Sequence, residues 1–110
     1  MTEIDEVTKS AILDSLVDPI AFCDTGHIIR YMNRAAIAHY KSGEKLLGTS
    51  LLDCHNSASC EMILNTYSEF RKGLEEQLIT DNKKHRIYMR AVRDEMGTFI
   101  GYYERYAPPS

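Results

Sequence analysis

Asp24-Thr25-Gly26-His27-Ile28-Ile29-Arg30-Tyr31-Met32-Asn33-Arg34-Ala35-Ala36 is the stretch whose reading decides the fold. Asp-x-Gly is turn chemistry: the Asp carboxylate bonds backbone two residues on, and Gly reaches conformations other residues avoid. Residues 28–32, which leave the turn, are rich in β-branched and aromatic side chains, as a strand is. Upstream, Pro19-Ile20-Ala21-Phe22-Cys23-Asp24 enters it with the same character, so the two runs predict a β-hairpin. Asn33 then precedes the alanine-rich residues 34–40 as the N-cap of a short helix.

Working outward, residues 1–18 read as an N-terminal amphipathic helix. Thr2 is its expected cap, Glu3, Asp5 and Glu6 lie in the first turn, and Ile4, Val7, Ala11, Ile12, Leu13, Leu16 and Val17 supply the apolar side. It must end near Val17, because Asp18 precedes Pro19 and is pushed out of the α region. Downstream, Gly43 and Gly48 bracket a single turn. From Asn56 or Ser57 to Lys72, apolar Cys60, Ile63, Leu64, Tyr67 and Phe70 recur at helical spacing, with Gly73 as the residue past the end. Three strand-like runs follow, 75–80, 85–93 and 98–106, parted by the turn signals at 81–83 and 94–97. The chain thus divides into a helix at 1–18, a core at 19–107 and a short tail at 108–110. Its order of elements is α+β.

At 110 residues there is room for one domain. A net charge of −3 and a pI near 5.8 argue against a nucleic-acid surface, which needs clustered Lys and Arg. No apolar run approaches the roughly 20 residues of a membrane span. The acidic start, Met-Thr-Glu-Ile-Asp-Glu, is unlike a signal peptide, so a cytoplasmic location is expected. Three cysteines, an odd number, then read as reduced thiols. No nucleophile–base pair, carboxylate pair or phosphate-binding glycine loop is recognisable, so a non-catalytic role is expected.

The chemistry concentrates in residues 51–60, Leu-Leu-Asp-Cys-His-Asn-Ser-Ala-Ser-Cys. This run directly precedes the longest helix, whose unpaired N–H groups attract acceptors. His55 either ligates a haem iron or metal through an imidazole nitrogen or hydrogen-bonds a backbone carbonyl in a loop. Covalent haem is excluded by the absence of Cys-x-x-Cys-His, and non-covalent haem stays open. Zinc is disfavoured, since Cys54 and Cys60 stand at Cys-x₅-Cys spacing with no second ligand pair. Cys60, in the first helical turn, is either a dipole-favoured thiolate or a small buried apolar residue. Alternation in the run 85–93 puts Ile87, Met89 and Ala91 on one face, the expected cavity wall. The candidate binding residues are Cys54, His55, Asn56, Cys60, Ile63, Tyr67 and Met89.

The pattern Asp24-x-Gly26-x-Ile28-Ile29-x-x-x-Asn33-Arg34-Ala35-Ala36 resembles the PAS domain family. The resemblance continues at Leu46-Leu47-Gly48-Thr49-Ser50 and at Arg90-Ala91-Val92-Arg93-Asp94-Glu95-x-Gly97-x-x-x-Gly101, and covers roughly residues 10–107. Residues 54–59 are similar to a subgroup reading Cys-His-Pro-Pro-Lys-Ser, with Cys54 and His55 matching and the prolines and lysine absent. The flavin-adduct motif Asn-Cys-Arg-Phe-Leu-Gln is missing. The resemblance implies a five-stranded antiparallel sheet with flanking helices, and a cavity for a small molecule or cofactor between sheet and helices. Haem is one candidate, with His55 as its iron ligand. The resemblance further implies a sensor that relays signals, in a family where many members dimerise through the N-terminal helix. Without a kinase, cyclase or DNA-binding segment, the output is expected through a separate downstream protein. The apolar residues of the N-terminal helix, more than one sheet edge needs, predict a homodimer. The alternative is a ligand-free dimerisation module.

Overall fold

Side chains that bond nearby backbone set most of the element boundaries. The computed structural model describes residues 3–109, without the side chain of Cys54. Helix α1 spans Glu6–Ser15 and is capped by Asp5, whose carboxylate accepts from the Thr8 N–H. Thr2, the expected cap, lies outside the described residues. The helix stops one residue before Leu16, whose backbone is extended.

Strands β1 (Ala21–Asp24) and β2 (Ile29–Met32) form the expected hairpin. One Asp24 carboxylate oxygen accepts from the N–H groups of Gly26 and Ile28, and the other from Arg30. The left-handed residue of this turn is His27, at φ 65°, rather than Gly26. Asn33 caps α2 (Arg34–His39) by accepting from the Ala36 N–H. A 3₁₀ turn follows at Gly43–Leu46, and a second at Leu51–Cys54. Helix α3 (Ser57–Arg71) is capped by Asn56, which accepts from the Ser59 N–H. At its far end Arg93 donates to the Phe70 carbonyl at 2.7 Å and pairs with Glu75.

Strands β3 (Glu76–Asp81), β4 (Arg86–Arg93) and β5 (Phe99–Ala107) make the meander. All five strands pair antiparallel in the order β2-β1-β5-β4-β3, so the last strand occupies the centre of the sheet. Gly101 lies where β5 meets β1 opposite Asp24; a Cβ there would run into the Cys23 carbonyl and the Phe22 ring. Only glycine fits this crossing.

The inner sheet face is covered by α2 and α3. Buried together are Cys23, Ile29, Met32, Met89, Ala91 and Tyr102 from the strands, with Ala36, Ile63 and Phe70 from the helices. The α3 stripe differs from expectation in one position: Leu64 is exposed, and Thr66 is buried, donating to the Met62 carbonyl. Positions 63, 66 and 70 stand three or four apart and share the inward side.

Helix α1 buries none of its residues. It is held by polar bonds instead: Asp14 accepts from the Arg34 N–H and the Tyr31 hydroxyl, and Asn33 donates to the Leu13 carbonyl. Val7 and Val17 are 78% and 91% exposed, and Ile4, Ile12 and Leu16 are also open. No helix among the described residues is long and apolar enough to cross a membrane.

Candidate functional site

The run that follows the first 3₁₀ turn is laid along the edge of β2 by backbone bonds. Ile29 N–H donates to the Thr49 carbonyl, Gly48 N–H to that of Ile29, and Leu51 N–H to that of His27. This brings residues 51–55 over the inner sheet face just before α3 starts. Between them, Tyr40 at the end of α2, α3 and the sheet lies a cavity of about 240 Å³.

Its walls are mostly aliphatic: Ala21, Ile29 and Met32 from the hairpin, Leu46 and Leu51 from the 3₁₀ segments, Met62 and Ile63 from α3, and Ile79 and Ile87 from β3 and β4. The polar lining is His55, Ser59, Thr80, Tyr40, Tyr106 and Glu104. Tyr40 and Tyr106 meet hydroxyl to hydroxyl at 3.1 Å, and burial raises the Tyr106 phenol above its ordinary range. His55 has its Nδ1 2.8 Å from the Leu51 carbonyl oxygen, which anchors the ring to its own loop.

Glu104 is the chemically unusual member. It sits mid-strand on β5, opposite Ala21 on one side and Met89 on the other, and its side chain is only 8% exposed. Burial pushes its carboxyl pKa up, because a charged carboxylate in apolar surroundings loses its hydration; the charge of His55 acts in the opposite sense.

Of the residues expected to bind, His55 and Ile63 line the cavity. Cys54 lies in the second 3₁₀ turn, and its side chain is outside the described set. The Asn56 side chain is committed to capping α3. Cys60 donates through its thiol to the Leu52 carbonyl at 3.2 Å and is not among the lining residues. Met89 is fully buried in the core below the cavity, while its neighbour Ile87 reaches the wall. Tyr67 belongs to a different cluster: its ring packs on His27, Phe99 and Tyr102, and its hydroxyl donates to the Thr25 carbonyl. There His27 Nδ1 lies 2.8 Å from the buried Tyr102 hydroxyl, and desolvation lowers the histidine pKa.

Glu104 and Tyr106 are the site residues that local reading of the sequence passes over. The signal was present: Tyr102, Glu104 and Tyr106 alternate along β5, and the first and last are aromatic, so the carboxylate between them shares the inward face.

An apolar cavity of roughly 150 Å³ accommodates benzene, so 240 Å³ is a size suited to one substituted ring. Among the described residues, no group of three or more His, Cys, Asp or Glu is placed to hold a metal ion.

A family profile described as PAS domain matches residues 10–107. No curated protein matches the sequence. Among solved structures, a C-terminal domain from Streptococcus mutans is similar at 21% identity and TM-score 0.77, over 96% of this chain and 85% of that one. The PAS domain of a Colwellia psychrerythraea protein is similar at 16% identity and TM-score 0.71, over 94% and 97%. VqmA bound to DPO is similar at 13% identity and TM-score 0.64, over 94% of this chain and 57% of that one.

Proposed function

Because the chain belongs to the PAS domain family, we propose that it is a sensory domain that binds one small, ring-sized molecule between its sheet and helices and signals occupancy to another protein. The observation that carries this reading is the 240 Å³ cavity, lined largely by aliphatic side chains with a few polar groups on one side. That combination is typical of a site that holds a small ligand in one orientation. Its volume lies below the roughly 300–1,000 Å³ of drug-sized sites, so the ligand is small. VqmA, similar in fold, was solved with DPO bound, which is in keeping with a small-ligand reading.

The route out of the cavity starts at Met32. It lines the wall, and the next residue, Asn33, is wholly buried and bonds both α2 and the carbonyls of Leu13 and Asp18. A ligand that moves β2 or α2 therefore acts on the attachment of α1. The apolar side of α1 is exposed and suits pairing with the same helix of a second copy, so a homodimer with α1 at its interface completes the reading.

Native mass spectrometry of the full chain and of Ser59→Leu, which fills the cavity from α3, tests the binding claim. A small molecule retained by the first and lost by the second is expected. A chain that carries no ligand, and that is not stabilised thermally by any of a panel of single-ring compounds, overturns it.

A further inference from the structure

Among the described residues, the cavity is lined by one acidic side chain, Glu104, and by no lysine or arginine. More than nine-tenths of Glu104 is buried, and its strand neighbours across the sheet are Ala21 and Met89. No described side chain donates a hydrogen bond to its carboxylate; its electrostatic partner is His55, whose Nδ1 is engaged with the Leu51 carbonyl. A carboxyl group in such a place needs a donor, because a buried acceptor without one forfeits the hydrogen bonds it had in water. We propose that the ligand is a small, mostly apolar organic cation, a body of about one ring carrying a protonated nitrogen that is seated on the Glu104 carboxylate. This deepens the small-ligand reading above and rests on it.

Three features select a cation over the alternatives. An anion would meet a carboxylate of its own sign, with no arginine or lysine among the described lining residues and with His55 as the one imidazole there, its Nδ1 engaged by the Leu51 carbonyl. A neutral polar ligand would make an ordinary hydrogen bond, whereas a charged donor on a charged acceptor in apolar surroundings makes a shorter and stronger one. Tyr40 and Tyr106, which line the same cavity, add aromatic surface that suits a positive group. The aliphatic walls from the hairpin, α3 and β4 take the remainder of the molecule. The fit is therefore divided: shape and apolar contact from most of the lining, charge from one residue of the central strand.

The test uses three probes of nearly equal shape on the full chain at neutral pH: benzylamine, benzyl alcohol and benzoate, each followed by calorimetric titration and thermal shift. Wild type should bind benzylamine at least tenfold more tightly than benzyl alcohol, and benzoate least. Glu104→Gln, which keeps size and an acceptor oxygen but not the charge, should erase that preference. Equal binding of amine and alcohol by wild type, or an amine preference that survives in Glu104→Gln, overturns the cation assignment and leaves the small-ligand reading standing. Absence of binding by all three probes overturns both. A folding defect in Glu104→Gln would appear in its far-ultraviolet circular dichroism, and the amine-to-alcohol ratio in wild type decides the matter by itself.

Discussion

The side-chain amide of Asn33 donates to the main-chain carbonyl of Leu13 at 3.0 Å, across twenty residues of chain. The same amide nitrogen reaches the Asp18 carbonyl, and the Asn33 side-chain oxygen accepts from Ile20 and Ala36. One buried side chain thus closes the start of β1, caps α2 and holds the end of α1.

Replacement of Asn33 separates these roles. Asn33→Asp keeps the acceptor for Ala36 and Ile20 and loses both donors, so α2 should stay capped while α1 loosens. Faster amide hydrogen exchange confined to residues 6–16, with a loss on the order of 1–3 kcal/mol in urea unfolding, is expected. Asn33→Ala also removes the cap and should cost more, roughly 2–5 kcal/mol. Equal losses, or unchanged exchange in α1, would show that the tether does not hold the helix.

Glu104 makes stability depend on pH with a defined sign. Its folded pKa is raised above the ordinary value of 4.5, so its contribution to stability is fully present below that value and is lost as pH rises through the folded pKa. Glu104→Gln mimics the protonated form. The variant should match wild type near pH 4 and overtake it above, the gap widening by at most about 1.4 kcal/mol per pH unit until the folded carboxyl ionises. Urea unfolding of ligand-free protein at pH 4, 6 and 8 measures this, and a gap that shrinks as pH rises contradicts the assignment.

Two glycines with positive φ should respond differently to a methyl group. At Gly97 (φ 83°) nothing lies within reach of a Cβ, so Gly97→Ala should cost only the left-handed strain, about 1–2 kcal/mol. At Gly101 the Cβ meets the Cys23 carbonyl and the Phe22 ring, so Gly101→Ala should lose well over 3 kcal/mol or fail to fold. Expression level and thermal midpoints of the two variants compare them directly; similar losses would mean that β5 and β1 separate easily.

The proposed dimer makes α1 decisive for oligomeric state. Val7 and Ile12 are exposed and make no part of the core. Val7→Glu with Ile12→Glu should therefore convert a dimer to a monomer in light scattering, with thermal stability changed by no more than about 0.5 kcal/mol from loss of surface contacts within one chain. A wild-type chain that is already monomeric at tens of micromolar would end the dimer reading.

What the sequence alone determined is the set of elements whose formation depends on near neighbours. Asn33 and Asn56 announce the starts of α2 and α3 because a cap bonds N–H groups only three residues away. The hairpin, the meander and the inward set Ile87, Met89 and Ala91 follow from turn chemistry and a period of two. The tertiary structure decided which of those faces meet. Strand β5, hairpin partner of β4, also pairs with β1 from the far end of the chain, and only this places Glu104 in the same cavity as His55. Periodicity tells which side of an element a residue is on but not what lies opposite, so Tyr67, on the right side of α3, faces His27 and not the cavity. Cys60 likewise turns to the Leu52 carbonyl because the 3₁₀ segment folds back over the head of α3, a path set by backbone bonds to β2 rather than by residues 51–60 themselves.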